Sequence, residues 1–305
     1  RELSPCSFDE YLHAVDPVMY DYVKTIPLEP LADAFCNKLS TYLSEYLSIG
    51  GMPAAIMAFL ETRDFDTVDQ ELDSILQAYE ADFSKHINSG DIPKLIMIWH
   101  SIPAQFAKEN RRFIFGEVRH GARAKDLEDA LQWLINASMV QKVCAVNFPE
   151  YPLAAVMKKN TFKLYPSDVG ILRKLARISP AVIVNSQDIF CDFKGRLAEN
   201  LVLEQFYALG INPVCYWYNN KGKAEVDFLI QNDNQIIPVE AKSGLSVNAK
   251  SLKFYRETYK PQLAIRTSMK NLRLDEGLLN IPLYLLGELP RFLNLAKDRC
   301  RQEEI

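Results

Sequence analysis

The stretch Ala224–Lys242, AEVDFLIQNDNQIIPVEAK, constrains this chain more than any other. Two β-rich arms flank Asp233-Asn234, residue types that tolerate a tight two-residue turn, so the stretch reads as a β-hairpin. With that turn, Asp227 on the first arm falls opposite Glu240 on the second. The two-residue period of a strand then puts Glu240 and Lys242 on one face and Val239 and Ala241 on the other. Like charges facing each other across strands are destabilising unless something positive sits between them. Both acids also stand in apolar runs, where burying a carboxylate is costly unless it is paired or holds a metal. A divalent cation with Lys242 beside it meets both requirements.

The rest of the chain is ordinary in bulk. Its 305 residues are 48% hydrophobic and 24% charged, enough for two or three globular domains. A formal net charge of -4 argues against a protein that coats nucleic acid over its whole surface, and leaves room for a local basic patch. Six scattered cysteines without CxxC spacing, and four histidines, argue against a zinc site and for reduced, packed thiols in a cytoplasmic protein. No apolar run of membrane-spanning length and no signal peptide is present, so no membrane partner is expected. The chain begins with Arg rather than Met, which suggests a fragment, and no G-x-x-x-x-G-K-[ST] P-loop occurs in it.

Four segments are expected: a helical region over 1–90, a winged-helix-like domain over 91–170, an α/β domain with a mixed sheet over 171–290, and a tail over 291–305. In the first, Ser7 and Glu10 form a capping box, a helix over Leu31–Leu47 stops at Gly50-Gly51, and Pro53 opens the next helix. The stripe Val68, Leu72, Ile75, Leu76, Tyr79 and Phe83 predicts a long helix packed within the chain rather than a partner-binding coiled coil. In the second, helices near Lys94–Lys108 and Ala124–Ala137 precede short strands at Val140–Phe148 and Thr161–Tyr165, the order of a winged helix. The loop between those helices carries Arg111, Arg112, Arg119, Arg123 and Lys125, which could meet phosphates or be merely solvated. In the third, a helix over Arg196–Leu209 precedes strands near Pro213–Tyr218, Glu225–Ile230 and Ile236–Ala241. A helix near Ala249–Tyr259 and strands near Leu263–Arg266 and Pro282–Leu286 complete it. The tail is charged and is expected to be helical and partly disordered.

Glu199 on the 196–209 helix, with Asp227, Glu240 and Lys242, makes a four-residue constellation. In this pattern the chain resembles the PD-(D/E)xK superfamily with its restriction-endonuclease-like fold. The match is Asp227, then Glu240-Ala241-Lys242, with Glu199 as the helical acid and Val226 in place of the family's proline. Over a longer stretch it is similar to the C-terminal half of a prokaryotic AAA-type ATPase family, a region of the DUF4143 type. The landmarks are Leu3-Ser4-Pro5-x-Ser7-Phe8-x-Glu10, Tyr46-Leu47-x-x-Gly50-Gly51-Met52-Pro53, Phe162-Lys163-Leu164-Tyr165 and Asp168-Val169-Gly170. Gly195–Asn200, Glu225–Leu229 and Pro238–Lys242 follow in the family's order.

That resemblance implies a P-loop ATPase domain ahead of the Leu-Ser-Pro-x-Ser-Phe segment, so ATP enters only through a domain these residues do not include. It also implies Mg²⁺ or Mn²⁺ held by Asp227 and Glu240, Lys242 facing water and phosphate, and Glu199 as an auxiliary acid. Two functional readings stand. One is a metal-dependent nuclease domain. The other is a non-catalytic docking module for nucleic acid or protein that regulates the ATPase. Expected partners are nucleic acid, DNA before RNA, the ATPase domain of the same full-length protein, and a second copy of the chain.

Overall fold

The computed structural model describes residues 4–86, 90–108, 112–184, 192–219, 224–244 and 250–303. Among them, eight strands form one mixed sheet. These are β1 (Val140–Val146), β2 (Lys158–Pro166), β3 (Cys215–Asn219), β4 (Ala224–Asn232), β5 (Gln235–Ala241), β6 (Ala264–Ser268), β7 (Arg273–Asp275) and β8 (Leu278–Pro282), in the order β2-β1-β3-β4-β5-β6-β8-β7. The β4–β5 hairpin turns at Asp233-Asn234, between the paired Asn232 and Gln235, with Asp233 at φ 54. Strands β5, β6 and β8 run parallel, so their carboxyl ends lie on one side of the sheet.

The hairpin expected to form a wing is part of this same sheet. Strand β1 pairs in parallel with β3, Cys144 beside Cys215 and Val146 beside Trp217, so β2 becomes an edge of the sheet that carries the acid pair. The apolar runs of β1 and β2 are thereby buried with those of β3 and β4.

Each face of the sheet has its own core. On one, Phe228, Ile230, Ile237 and Val239 meet Leu197, Leu201, Val202 and Phe206 of the helix Asp192–Ala208, together with the N-terminal helices. On the other, Val146, Trp217, Leu229 and Ala264 meet Leu252 and Tyr255 of the helix Lys250–Tyr259. The long amphipathic helix, Phe65–His86, buries Val68, Leu72 and Phe83 within the larger core, as its stripe predicts.

Local signals set the N-terminal helices. The helix Phe8–Val15 carries the capping box: Glu10 N–H donates to Ser7 Oγ at 3.3 Å, and Ser7 N–H to Glu10 Oε2 at 2.7 Å. One expectation for the C-terminal end fails. Leu283–Glu288 is a 3₁₀ helix that follows β8, not a strand, because a short apolar run does not itself distinguish the two. The tail is helical, as expected: Leu289–Glu303 is a helix that buries Leu289, Phe292, Leu293 and Ala296. Arg291 donates to the carbonyls of Ile26 at 2.5 Å and Val23 at 3.1 Å, which fastens the tail to the N-terminal helices.

Several of the sequence landmarks converge on Asp168, which is buried and caps the helix Val169–Leu175. Its Oδ1 accepts from Ile171 N–H at 2.8 Å and its Oδ2 from Gly51 N–H at 2.5 Å. Gly50 sits at φ 81, and a Cβ there would strike Asp168 and the Gly170 backbone; a Cβ on Gly170 would strike the Ile49 carbonyl. Tyr46 Oη donates to the Cys6 carbonyl at 2.6 Å, which closes the knot over the first helix.

Burial pushes the Asp168 carboxyl up to about 6, against the backbone N–H groups of Ile171, Gly51 and Gly170 that pull it down. An acid whose folded pKa lies above its unfolded value of about 3.9 stabilises most below that value, and loses the contribution as pH rises through about 6. We expect the stability difference between the parent chain and Asp168→Asn to shrink by up to about 3 kcal/mol between about pH 4 and pH 7. Urea unfolding at the two pH values measures it, and a difference independent of pH would refute the assignment.

Candidate active site

The acid pair sits where β4 departs from regular pairing. From Cys215↔Leu229 to Trp217↔Val226, β3 advances two residues while β4 advances three, so β4 bulges around Asp227. On its other side, the β4–β5 pairing runs from Asn232↔Gln235 to Phe228↔Val239, one step short of Asp227 and Glu240. Beyond that step Asp227 Oδ2 accepts from the Ala241 N–H at 2.9 Å. The carboxylate takes the place of a main-chain acceptor in the ladder. Asp227 therefore has a structural task.

Glu240 alternates with Val239 and Ala241, which lie in the larger core, and so points to the opposite face, the one that carries the helix Lys250–Tyr259. Both acids are 4% exposed. Lys242 Nζ donates to Glu240 Oε1 at 2.6 Å, with its side chain 29% exposed. Lys242 N–H donates to the Thr267 carbonyl at 2.8 Å, which holds this end of β5 against β6.

Glu199 stands elsewhere. Its helix packs on the larger core, and there Tyr165 Oη donates to Glu199 Oε1 at 2.6 Å, with Lys163 Nζ 3.4 Å from the same oxygen. Lys163, fully buried on β2, also pairs with Glu225 at 2.7 Å and lies over the Tyr216 ring. Among the described residues no three His, Cys, Asp or Glu side chains gather as a metal site, so Glu199 does not complete a three-acid cluster with Asp227 and Glu240. The start of its helix does approach the site: a Cβ on Gly195 would lie 3.6 Å from Ser243 Oγ, beside Lys242. Lys163 was the residue left without a role in the sequence. Its signal was a lysine between Phe162 and Leu164 in a strand otherwise destined for the core.

The residues of the basic loop differ in their surroundings. Arg111 lies outside the described residues. Arg112 stacks over the Tyr218 ring at 4.0 Å, whereas Arg119, Arg123 and Lys125 are exposed. Arg123 and Asp126 cap the helix Ala124–Asn136. None of Cys6, Cys36, Cys144, Cys215 and Cys300 is in a disulfide, and no helix among the described residues is long and apolar enough to cross a membrane.

The donor chemistry fits a hard cation. Magnesium takes one or two carboxylates and completes its octahedron with water and substrate oxygens, and Asp227 and Glu240 offer two carboxylates on adjoining strands. Fold and site thus define the class: a mixed α/β protein with a buried acid pair and a lysine where β5 ends. Residues 194–286 match a domain of unknown function, DUF4143, and residues 40–182 match a second, DUF8612. The first match contains Glu199, Asp227, Glu240 and Lys242; the second contains β1, β2, Asp168 and the basic loop. No curated protein and no solved structure matches the chain.

Proposed function

We propose that the β4–β5 region is a nuclease-like site that hydrolyses phosphodiester bonds of nucleic acid with Mg²⁺ or Mn²⁺, in a PD-(D/E)xK-like domain of an ATPase-associated protein. The observation that carries this reading is the pair of nearly buried carboxylates on adjoining strands with Lys242 bonded to one of them. Asp227 and Glu240 would hold the cation, which when bound polarises the phosphate and acidifies a water. Lys242, partly exposed and tethered by Glu240, would orient that water and offset the charge developing on the phosphate. Glu199, tied to Lys163 and Tyr165, supports the sheet from its other face rather than touching the reacting groups.

The Lys242–Glu240 pair also favours a second reading. A lysine that already neutralises its acid suits a fold kept as a docking platform for nucleic acid, DNA before RNA, or for the ATPase domain of a longer protein. The same surface would serve a second copy of the chain, in the cytoplasm. Titration calorimetry with Mn²⁺ separates the two. We expect binding by the parent chain and none by Asp227→Ala/Glu240→Ala, and no binding by either would sink the nuclease reading.

A further inference from the structure

A row of polar side chains crosses the sheet beyond the acid pair. Glu240 is the register partner of Arg266, Arg266 of Asn280, and Asn280 of Arg273, so the four project from one face across β5, β6, β8 and β7. At the usual strand spacing the row is about 14 Å long. Two residues earlier on β6 and β8, on the same face, Ala264 and Leu278 lie in or against the smaller core with the helix Lys250–Tyr259. Arg266 is half-buried and Arg273 exposed. The row crosses the middle of β6 and β8 and meets β5 one residue before its carboxyl end.

Arg266 is held in place by Asn280. Asn280 is locked by donating Nδ2 to the carbonyls of Lys270 at 2.9 Å and Asn271 at 2.8 Å, while its Oδ1 accepts from Ser268 Oγ at 3.1 Å. That same Oδ1 accepts from Arg266 Nε at 3.0 Å, which orients the guanidinium. Among the described residues no carboxylate lies within ion-pair distance of Arg266. Burial disfavours the charge on Arg266, and Asp275 on β7 offsets part of that from beyond ion-pair distance. The two Nη groups left by the Asn280 bond form the fork that matches a phosphate. Arg273, at the far end of the row, pairs with Asp275 at 2.7 Å on the edge strand.

We infer that Arg266 and Arg273 form a phosphate-binding lane that carries the backbone of a nucleic-acid strand across β6, β8 and β7 to the acid pair. The inference rests on the nuclease-like reading for what happens at the end of the lane. It does not rest on that reading for binding.

The test is equilibrium binding of a short fluorescein-labelled DNA duplex to the 305-residue chain in EDTA, over a series of salt concentrations. Arg266→Gln and Arg273→Gln should each weaken binding about three- to tenfold and lower the slope of log K against log salt by about one. Arg63→Gln, remote from the sheet, should change neither quantity. No binding by the parent chain, or equal affinity and slope in both lane variants, overturns the inference, as does an equal loss in Arg63→Gln. Arg273→Gln, on an exposed edge, decides the matter if Arg266→Gln does not fold. A parent chain that shows these binding effects but no cleavage in Mg²⁺ would overturn the nuclease reading and leave the lane standing.

Discussion

Lys163→Met should destabilise the chain by about 3–5 kcal/mol, the cost of removing one member of a buried ion pair. Lys163 is fully buried and Glu199 is 2% exposed, so water does not screen the attraction between them. Methionine keeps the apolar stem, so the loss is electrostatic rather than a cavity. Tyr165 would still donate to Glu199, but one neutral hydroxyl does not replace an ammonium 3.4 Å away. Glu225, 2.7 Å from the same nitrogen and partly exposed, would lose less because solvent reaches it. In Lys163→Met/Glu199→Gln part of the loss should return, since the second change removes the carboxylate that faced Lys163. Urea unfolding of the four members of this cycle measures the coupling. Additive single effects, or a cost below about 1 kcal/mol for Lys163→Met, would show that Glu199 does not depend on Lys163.

That pair also shows where sequence reasoning stops. The β4–β5 hairpin was legible because its determinants are local: Asp-Asn turn chemistry, a two-residue period, and charges that interrupt apolar arms. The capping box at Ser7 was legible for the same reason. The direction in which Glu199 points was not, because a helix can place an acid beside either face of a sheet, and only packing decides. Leu197, Leu201 and Phe206 choose the larger core, and Glu199 goes with them to Lys163 and Tyr165. The bulge at Asp227 was equally hidden. One extra residue against β3 turns a carboxylate from a ladder position into a ladder acceptor, and no composition signal marks it. The membership of β1 and β2 in the sheet depends on Cys144 meeting Cys215, 71 positions away in sequence. A charged tail composition likewise concealed Phe292 and Leu293, which are buried on one side of an otherwise polar helix.

Lys242→Ala should lower metal-dependent cleavage by about 10²–10³-fold, the usual loss when one donor aimed at developing charge is removed. The same change should also lower stability, because it takes away an ammonium that pairs with Glu240, which is itself only 4% exposed. A rate loss measured on fully folded protein separates chemistry from scaffold. Asp227 needs a gentler substitution for the same purpose. Asp227→Ala removes both the charge and the acceptor for the Ala241 N–H, so lost activity could follow from a loosened strand end. Asp227→Asn keeps an amide oxygen for that N–H and removes only the charge, so it should retain the fold and lose cleavage. The assay uses DNA duplex, single strand and RNA in turn, with Mg²⁺ or Mn²⁺ and with an ATPase domain joined ahead of the chain. Parent-level rates in Lys242→Ala would exclude Lys242 from the chemistry. Absence of cleavage by the parent protein on every substrate would leave the sheet, the acid pair and their lysine as a docking scaffold.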